Sequence, residues 1–125
     1  MTENQIATTI LDCAFNIHRK LGPGLFESVY EEVIAYELLK RKLEFVRQYG
    51  IPVVYESVKM EVGFRADIIV ENKVIIELKS VEILLPVHKK QLLTYLKLTN
   101  MKLGLLINFN EALLKDGIVR IANNL

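Results

Sequence analysis

At 125 residues the chain makes one domain, spanning 1–125 with no linker, repeat or low-complexity stretch, and long enough to bury a real core. Its formal net charge of +1 excludes a chain that is basic throughout, so any nucleic-acid site has to be a local patch. Hydrophobic content of 51% and charged content of 25% are ordinary for a soluble protein, no apolar run approaches the roughly 20 residues that span a bilayer, and a single cysteine excludes an internal disulfide.

The N-terminus lacks the basic-then-apolar layout of a signal peptide, so the cytoplasm is the expected location and no membrane partner is expected. Thr2 followed by Gln5 resembles a capping box, and Ile6, Ile10, Ala14, Ile17 and Leu21 then recur at helical spacing. Cys13 falls within that apolar pattern and reads as a small buried hydrophobe. Gly22-Pro23-Gly24 must end the helix, because proline lacks a donor and glycine permits positive φ. A second helix runs from near Phe26 to about Arg41, its buried stripe read as Val29, Val33 and Tyr36 and widened by Ile34 and Leu38. Leu43 to Tyr49 reads as a strand with imperfect alternation, and Pro52 marks an edge or a bend before Val53-Val54-Tyr55. Val58 to Val70 and Val74 to Lys79 are the arms of a hairpin. Pro86 is placed to open a third helix, which Asn100 stops. Leu103 to Phe109 is a continuous apolar strand, and Gly117 to Ala122 reads as a short final one. The order α-α-β-β-β-α-β-β describes a mixed domain around one sheet.

The hairpin carries polar residues where a core strand needs apolar ones. One arm is Ala66-Asp67-Ile68-Ile69-Val70, the polar break is Glu71-Asn72-Lys73, and the other arm is Val74-Ile75-Ile76-Glu77-Leu78-Lys79. A three-residue loop pairs Val70 with Val74, sets Asp67 opposite Glu77, and puts Lys79 on their face. Two like charges opposed on a half-buried sheet are destabilising unless something cationic lies between them, and a divalent metal with a nearby lysine would supply it. A two-residue loop would instead send the acids to opposite faces.

Gly24-Leu25-Phe26-Glu27-Ser28-Val29-Tyr30 spells a GxxExxY signature, Asp67 precedes Glu77-Leu78-Lys79 as an ExK element, and Gln91 with Tyr95 forms a QxxxY element on the following helix. This ordered set resembles the GxxExxY protein family, a branch of the PD-(D/E)xK nuclease superfamily, from about Phe15 to Asn108. Ala66 stands where the superfamily often has a proline, at a position that varies within it. The resemblance implies a restriction-endonuclease-like α/β core, a mixed central sheet flanked by helices. It also implies a Mg²⁺- or Mn²⁺-dependent nuclease acting on nucleic acid, DNA ahead of RNA. At 125 residues there is almost no room for a separate recognition domain, so specificity is expected from a homodimer, a partner protein or substrate structure.

Within that frame Asp67 and Glu77 would be the metal ligands, with the Leu78 backbone carbonyl a third. Lys79 would orient the attacking water and stabilise developing negative charge. Glu27 would reach the metal through water or pair with Lys79, and Tyr30 shares its helix face. Gln91 and Tyr95, spaced i,i+4, would bind phosphate or hold the lysine, and His18 would approach the site from the first helix. Plainer readings stand beside each of these. Asp67, Glu77 and Lys79 also fit a structural ion pair, Glu27 a helix N-terminal acid, and His18 a partner of a helix C-terminal dipole. Tyr30 and Tyr95 also fit core aromatics, and Gln91 an exposed helix residue. His88-Lys89-Lys90, Arg19-Lys20 and Lys40-Arg41-Lys42 are more often solvated runs than phosphate contacts. The competing function is a catalytically inactive binding or regulatory module that keeps the fold, or a structural dimer built on an ion-pair network.

Overall fold

The structure, a computed structural model, describes residues 1–60 and 63–125. Helix α1 (Glu3–Leu21) starts at Thr2, whose hydroxyl accepts from the Gln5 N–H at 3.2 Å while the Gln5 side chain accepts from the Thr2 N–H at 2.9 Å. This is the capping box expected from the sequence. Gly22 (φ 70) and Gly24 (φ 96) adopt the left-handed backbone that turns the chain into α2 (Glu27–Lys40). Strand β1 (Phe45–Tyr55) leads by a tight turn into β2 (Val58–Val70), and β3 (Val74–Lys79) follows. Helix α3 (Pro86–Thr99) ends at Asn100, in the left-handed region at φ 57. Strand β4 (Leu103–Asn108), a short 3-10 turn (Leu114–Gly117) and β5 (Ile118–Ala122) complete the chain. The element order matches the sequence reading.

The strands form one five-stranded sheet in the order β1-β2-β3-β4-β5, antiparallel throughout except for the parallel β3–β4 pair. That pair is joined by α3, the crossover a parallel connection needs. The two strand fragments expected around Pro52 are one strand, with the register shifting between Ile51 and Val53. Pro52 is tolerated because β1 is the sheet's edge, where a missing N–H need not be paired.

Alternation along the strands divides the core. Ile68, Val70, Val74, Ile76 and Leu78 pack beneath α1 and α2, together with the buried Cys13. Ala66, Ile69, Ile75 and Leu106 pack beneath Leu92, Tyr95 and Leu96 of α3. A Cβ at Gly104 would lie 2.9 Å from the Leu92 side chain, so α3 rests directly on β4 there. The buried stripe of α2 includes the expected Ile34 and Leu38, with Val33 partly buried against the core, and differs elsewhere. Tyr30, Ile34 and Leu38 face inward with Glu31 and Glu37, whereas Tyr36 is exposed and Val29 partly so. The two acids are tolerated inside because arginines pair with them: Arg47 on β1 with Glu31 at 2.8 Å, and Arg41, one helical turn on, with Glu37 at 2.6 Å. Among the described residues no helix is long and apolar enough to cross a membrane.

Candidate active site

The β2–β3 turn decides the site. Lys73 N–H donates to the Val70 carbonyl at 3.0 Å, and Glu71 and Asn72 both have positive φ, at 52 and 53, as in a type I′ turn. Val70 then pairs with Val74, Ile69 with Ile75, and Ile68 with Ile76. The next step of that count sets Asp67 against Glu77. Here side chains replace the backbone ladder. Asp67 N–H donates to Glu77 Oε1 at 3.1 Å, and Leu78 N–H donates to Asp67 Oδ2 at 2.8 Å. Beyond this point β2 continues with β1 and β3 runs on to Lys79, so the acids sit where the sheet forks.

Burial dominates the electrostatics. Glu77 is only 6% exposed. Desolvation, reinforced by the Asp67 charge, pushes its carboxyl up to about 9. Desolvation raises Asp67 too, opposed by the hydrogen bond from Leu78. The Tyr95 hydroxyl is pushed up to about 12, by burial first and then by the Glu77 and Asp67 charges. Tyr95 is therefore a neutral phenol within reach of the acids' charge, its ring against Phe64 at 5.4 Å between centroids.

The donor set suits a small hard divalent ion. Two carboxylates that resist ionising together gain most from a cation, and oxygen ligands are what such an ion takes. Among the described residues no three His, Cys, Asp or Glu side chains are grouped so as to hold a metal ion, so waters and backbone oxygen would complete the shell. That division suits Mg²⁺, which retains several waters.

The other expected site residues divide clearly. Glu27 Oε2 accepts from the Ser80 N–H at 3.2 Å, and the Ser80 hydroxyl donates to the Leu25 carbonyl at 2.6 Å. Glu27 thus ties the Gly-rich turn to the end of β3, one residue past Lys79. Tyr30 is fully buried, and its hydroxyl donates to the Gly22 carbonyl at 2.6 Å and accepts from the Leu25 N–H at 3.2 Å. Its ring stacks on Phe109 at 4.2 Å, which makes Tyr30 a support for that turn. His18 Nε2 bonds the Glu111 carbonyl at 2.8 Å, on the α1 side of the sheet and not beside the acids. Gln91 is half-buried on α3, one turn before Tyr95. His88 Nδ1 accepts from the Leu85 N–H at 3.1 Å and so caps α3. Lys40 and Arg41 are drawn to Glu37, which leaves less of that basic run for phosphate.

Three residues that the sequence reading passed over complete the setting. Glu31, 8% exposed, receives Gln48 Nε2 on Oε1 at 2.6 Å and Arg47 Nε on Oε2 at 3.0 Å. Gln48 Nε2 also approaches Asp67 Oδ1 at 3.4 Å. The signal for Glu31 was present, since it follows Glu27 by one helical turn. Nothing local marks Gln48.

No curated protein and no solved structure matches the chain. A family model does match, that of the PD-(D/E)XK nuclease superfamily, over residues 4–121. With nearly the whole chain covered, and an acid pair and lysine at the fork of a mixed sheet, the chain belongs to the PD-(D/E)XK nuclease superfamily.

Proposed function

We propose that this chain is a Mg²⁺- or Mn²⁺-dependent nuclease of the GxxExxY branch, hydrolysing DNA phosphodiesters in preference to RNA. The observation that carries the reading is the buried Asp67–Glu77 pair, which costs stability in the metal-free protein and has Lys79 on the same strand. Asp67 and Glu77 would hold the ion, with the Leu78 carbonyl offering a further protein oxygen. Bound there, a divalent ion supplies charge neutralisation on the phosphate and a more acidic water. Lys79 would orient the attacking water and stabilise charge on the phosphate oxygens as the new P–O bond forms. The bond to the leaving sugar oxygen breaks, and that oxygen takes up from solvent a proton equivalent to the one the attacking water releases. Tyr95 remains a neutral hydrogen-bond donor beside the acids, and Gln91 faces the phosphate from the same helix. Glu27 and Tyr30 keep the Gly22–Leu25 turn against the end of β3.

We infer that a second copy of the chain extends the recognition surface. Support comes from the β1–β2 arm, which continues to the Tyr55–Val58 turn while the β2–β3 ladder covers Ile68–Val70. Val54, Tyr55 and Val58 at its tip are 61%, 62% and 57% exposed. A two-stranded ribbon with apolar side chains is marginal alone and gains from burial against a partner.

The test is cleavage of single- and double-stranded DNA and RNA with Mg²⁺ or Mn²⁺, using the native chain, Glu77→Ala and Lys79→Ala. Metal-dependent cutting lost in both variants is the expected result. Cutting that survives in the variants, or none by the native chain, overturns the reading and favours a binding module.

A further inference from the structure

We propose that Gln48 is a positioning residue whose amide, anchored on Glu31, holds the Asp67 carboxylate in the orientation that faces Glu77. The proposal rests on the reading that Asp67 and Glu77 take a divalent cation.

The backbone supplies the first argument. The β1–β2 ladder pairs Val46 with Ile69, Arg47 with Ile68 and Tyr49 with Ala66. Gln48, which the same count sets opposite Asp67, drops out of the ladder and has φ 50. A side chain with a Cβ rarely adopts that conformation inside a strand, and it persists where the surroundings over-determine it. Glycine would fit without strain, yet the position holds a long amide.

The side chain supplies the second. Nε2 donates to Glu31 Oε1 at 2.6 Å and approaches Asp67 Oδ1 at 3.4 Å. Both neighbours are carboxylate oxygens, so only the nitrogen end of the amide can face them. Glu31 is fixed in turn by Arg47, at 3.0 Å from Nε and 2.8 Å from a terminal guanidinium nitrogen, and Arg47 also pairs with Glu32 at 2.7 Å. The other Asp67 oxygen takes the Leu78 N–H at 2.8 Å. One donor at each oxygen sets the plane of the carboxylate. The chemistry of the donor matters as well. An arginine or lysine at position 48 would neutralise Asp67 and compete with a cation, whereas an amide orients the carboxylate and leaves its charge available.

Mn²⁺ binding measured by titration calorimetry on the native chain, Asp67→Asn, Gln48→Ala and Gln48→Gly tests this, alongside metal-free melting temperatures. Gln48→Gly removes the amide and accommodates the backbone. The expected result is about a ten-fold or greater loss of Mn²⁺ affinity in Gln48→Gly, the size typical of a lost group behind a metal ligand, with the metal-free melting temperature kept or raised. Gln48→Ala should lose affinity and melt lower, because it keeps the strain. Native-like Mn²⁺ affinity in Gln48→Gly overturns the positioning role and leaves the metal site standing. A collapse of the metal-free melting temperature in Gln48→Gly assigns Gln48 to folding, and equally overturns it. If the native chain does not bind Mn²⁺, or Asp67→Asn binds it equally well, the metal-site reading fails and this proposal fails with it.

Discussion

Under the proposed reading, Glu77 is the residue on which metal and proton would compete. Its ordinary value is 4.5, and burial beside Asp67 lifts the folded value to about 9. Between those limits the folded chain keeps a proton that the unfolded chain has released. The metal-free protein should therefore lose stability as pH rises from about 4.5 towards 9. Glu77→Gln has no proton to lose, so its decline over that window should be shallower, as thermal melts from pH 5 to 9 in chelator would show. Mn²⁺ at pH 8 should raise the native melting temperature in proportion to the logarithm of its concentration, once that exceeds the dissociation constant. Asp67→Asn should abolish this shift, and a shift that survives would mean the ligands were assigned wrongly. Tyr30 tests the support of the site. Tyr30→Phe keeps the stack on Phe109 but strips the hydroxyl from the Gly22 carbonyl and the Leu25 N–H. A loss of about 1–3 kcal/mol in denaturant unfolding is expected, with weaker cleavage as the turn loosens from β3.

At the scale of elements, the site depends on how closely α3 lies on the sheet. Leu92, Tyr95 and Leu96 cover Ile75 and Leu106, and Gly104 is what lets the helix approach. Gly104→Ala would put a methyl group 2.9 Å from the Leu92 side chain. Overpacking of this kind costs about 1–3 kcal/mol, so Gly104→Ala should unfold at lower denaturant. It should also reduce turnover without abolishing metal binding, because Tyr95 moves with the helix while Asp67 and Glu77 remain on β2 and β3. Equal turnover at equal folded fraction would detach Tyr95 from the chemistry.

The whole molecule presents an edge strand and an apolar arm on one side. A cavity of about 970 Å³ at the base of the arm is lined by Val46, Tyr49, Ile51, Pro52, Leu98 and Met101 among others. Charged side chains on the arm would oppose association while leaving the fork intact. The native chain should therefore sediment as a dimer, and a Val54→Lys, Tyr55→Lys double variant as a folded monomer. A native monomer at all concentrations would remove the second copy from the proposed function.

Much of this was readable from the chain itself. The helix caps at Thr2 and Asn100 and the turn at Glu71–Lys73 are local chemistry, and a strand's two-residue period carries a turn's register outward to Asp67 and Glu77. The acid pair was visible for that reason, since a few neighbouring residues decide which side chains oppose each other. The inner face of α2 was only partly visible: Ile34 and Leu38 were legible, whereas Tyr30 and Glu31 lay outside the expected stripe. Glu31 turns inward because Arg47, sixteen residues on, supplies its countercharge. Tyr36 is thereby displaced to the outside. His18 was drawn towards the site by its place in the chain, and only the packing of α1 against the Glu111 segment shows its ring spent on a carbonyl there. Gln48 was the least legible, because its kink answers to Glu31 on a helix and Asp67 on the next strand. Period and turn chemistry settle what lies within a few residues. Burial of charge and the orientation of a carboxylate depend on partners far apart in sequence, and these only the tertiary structure brings together.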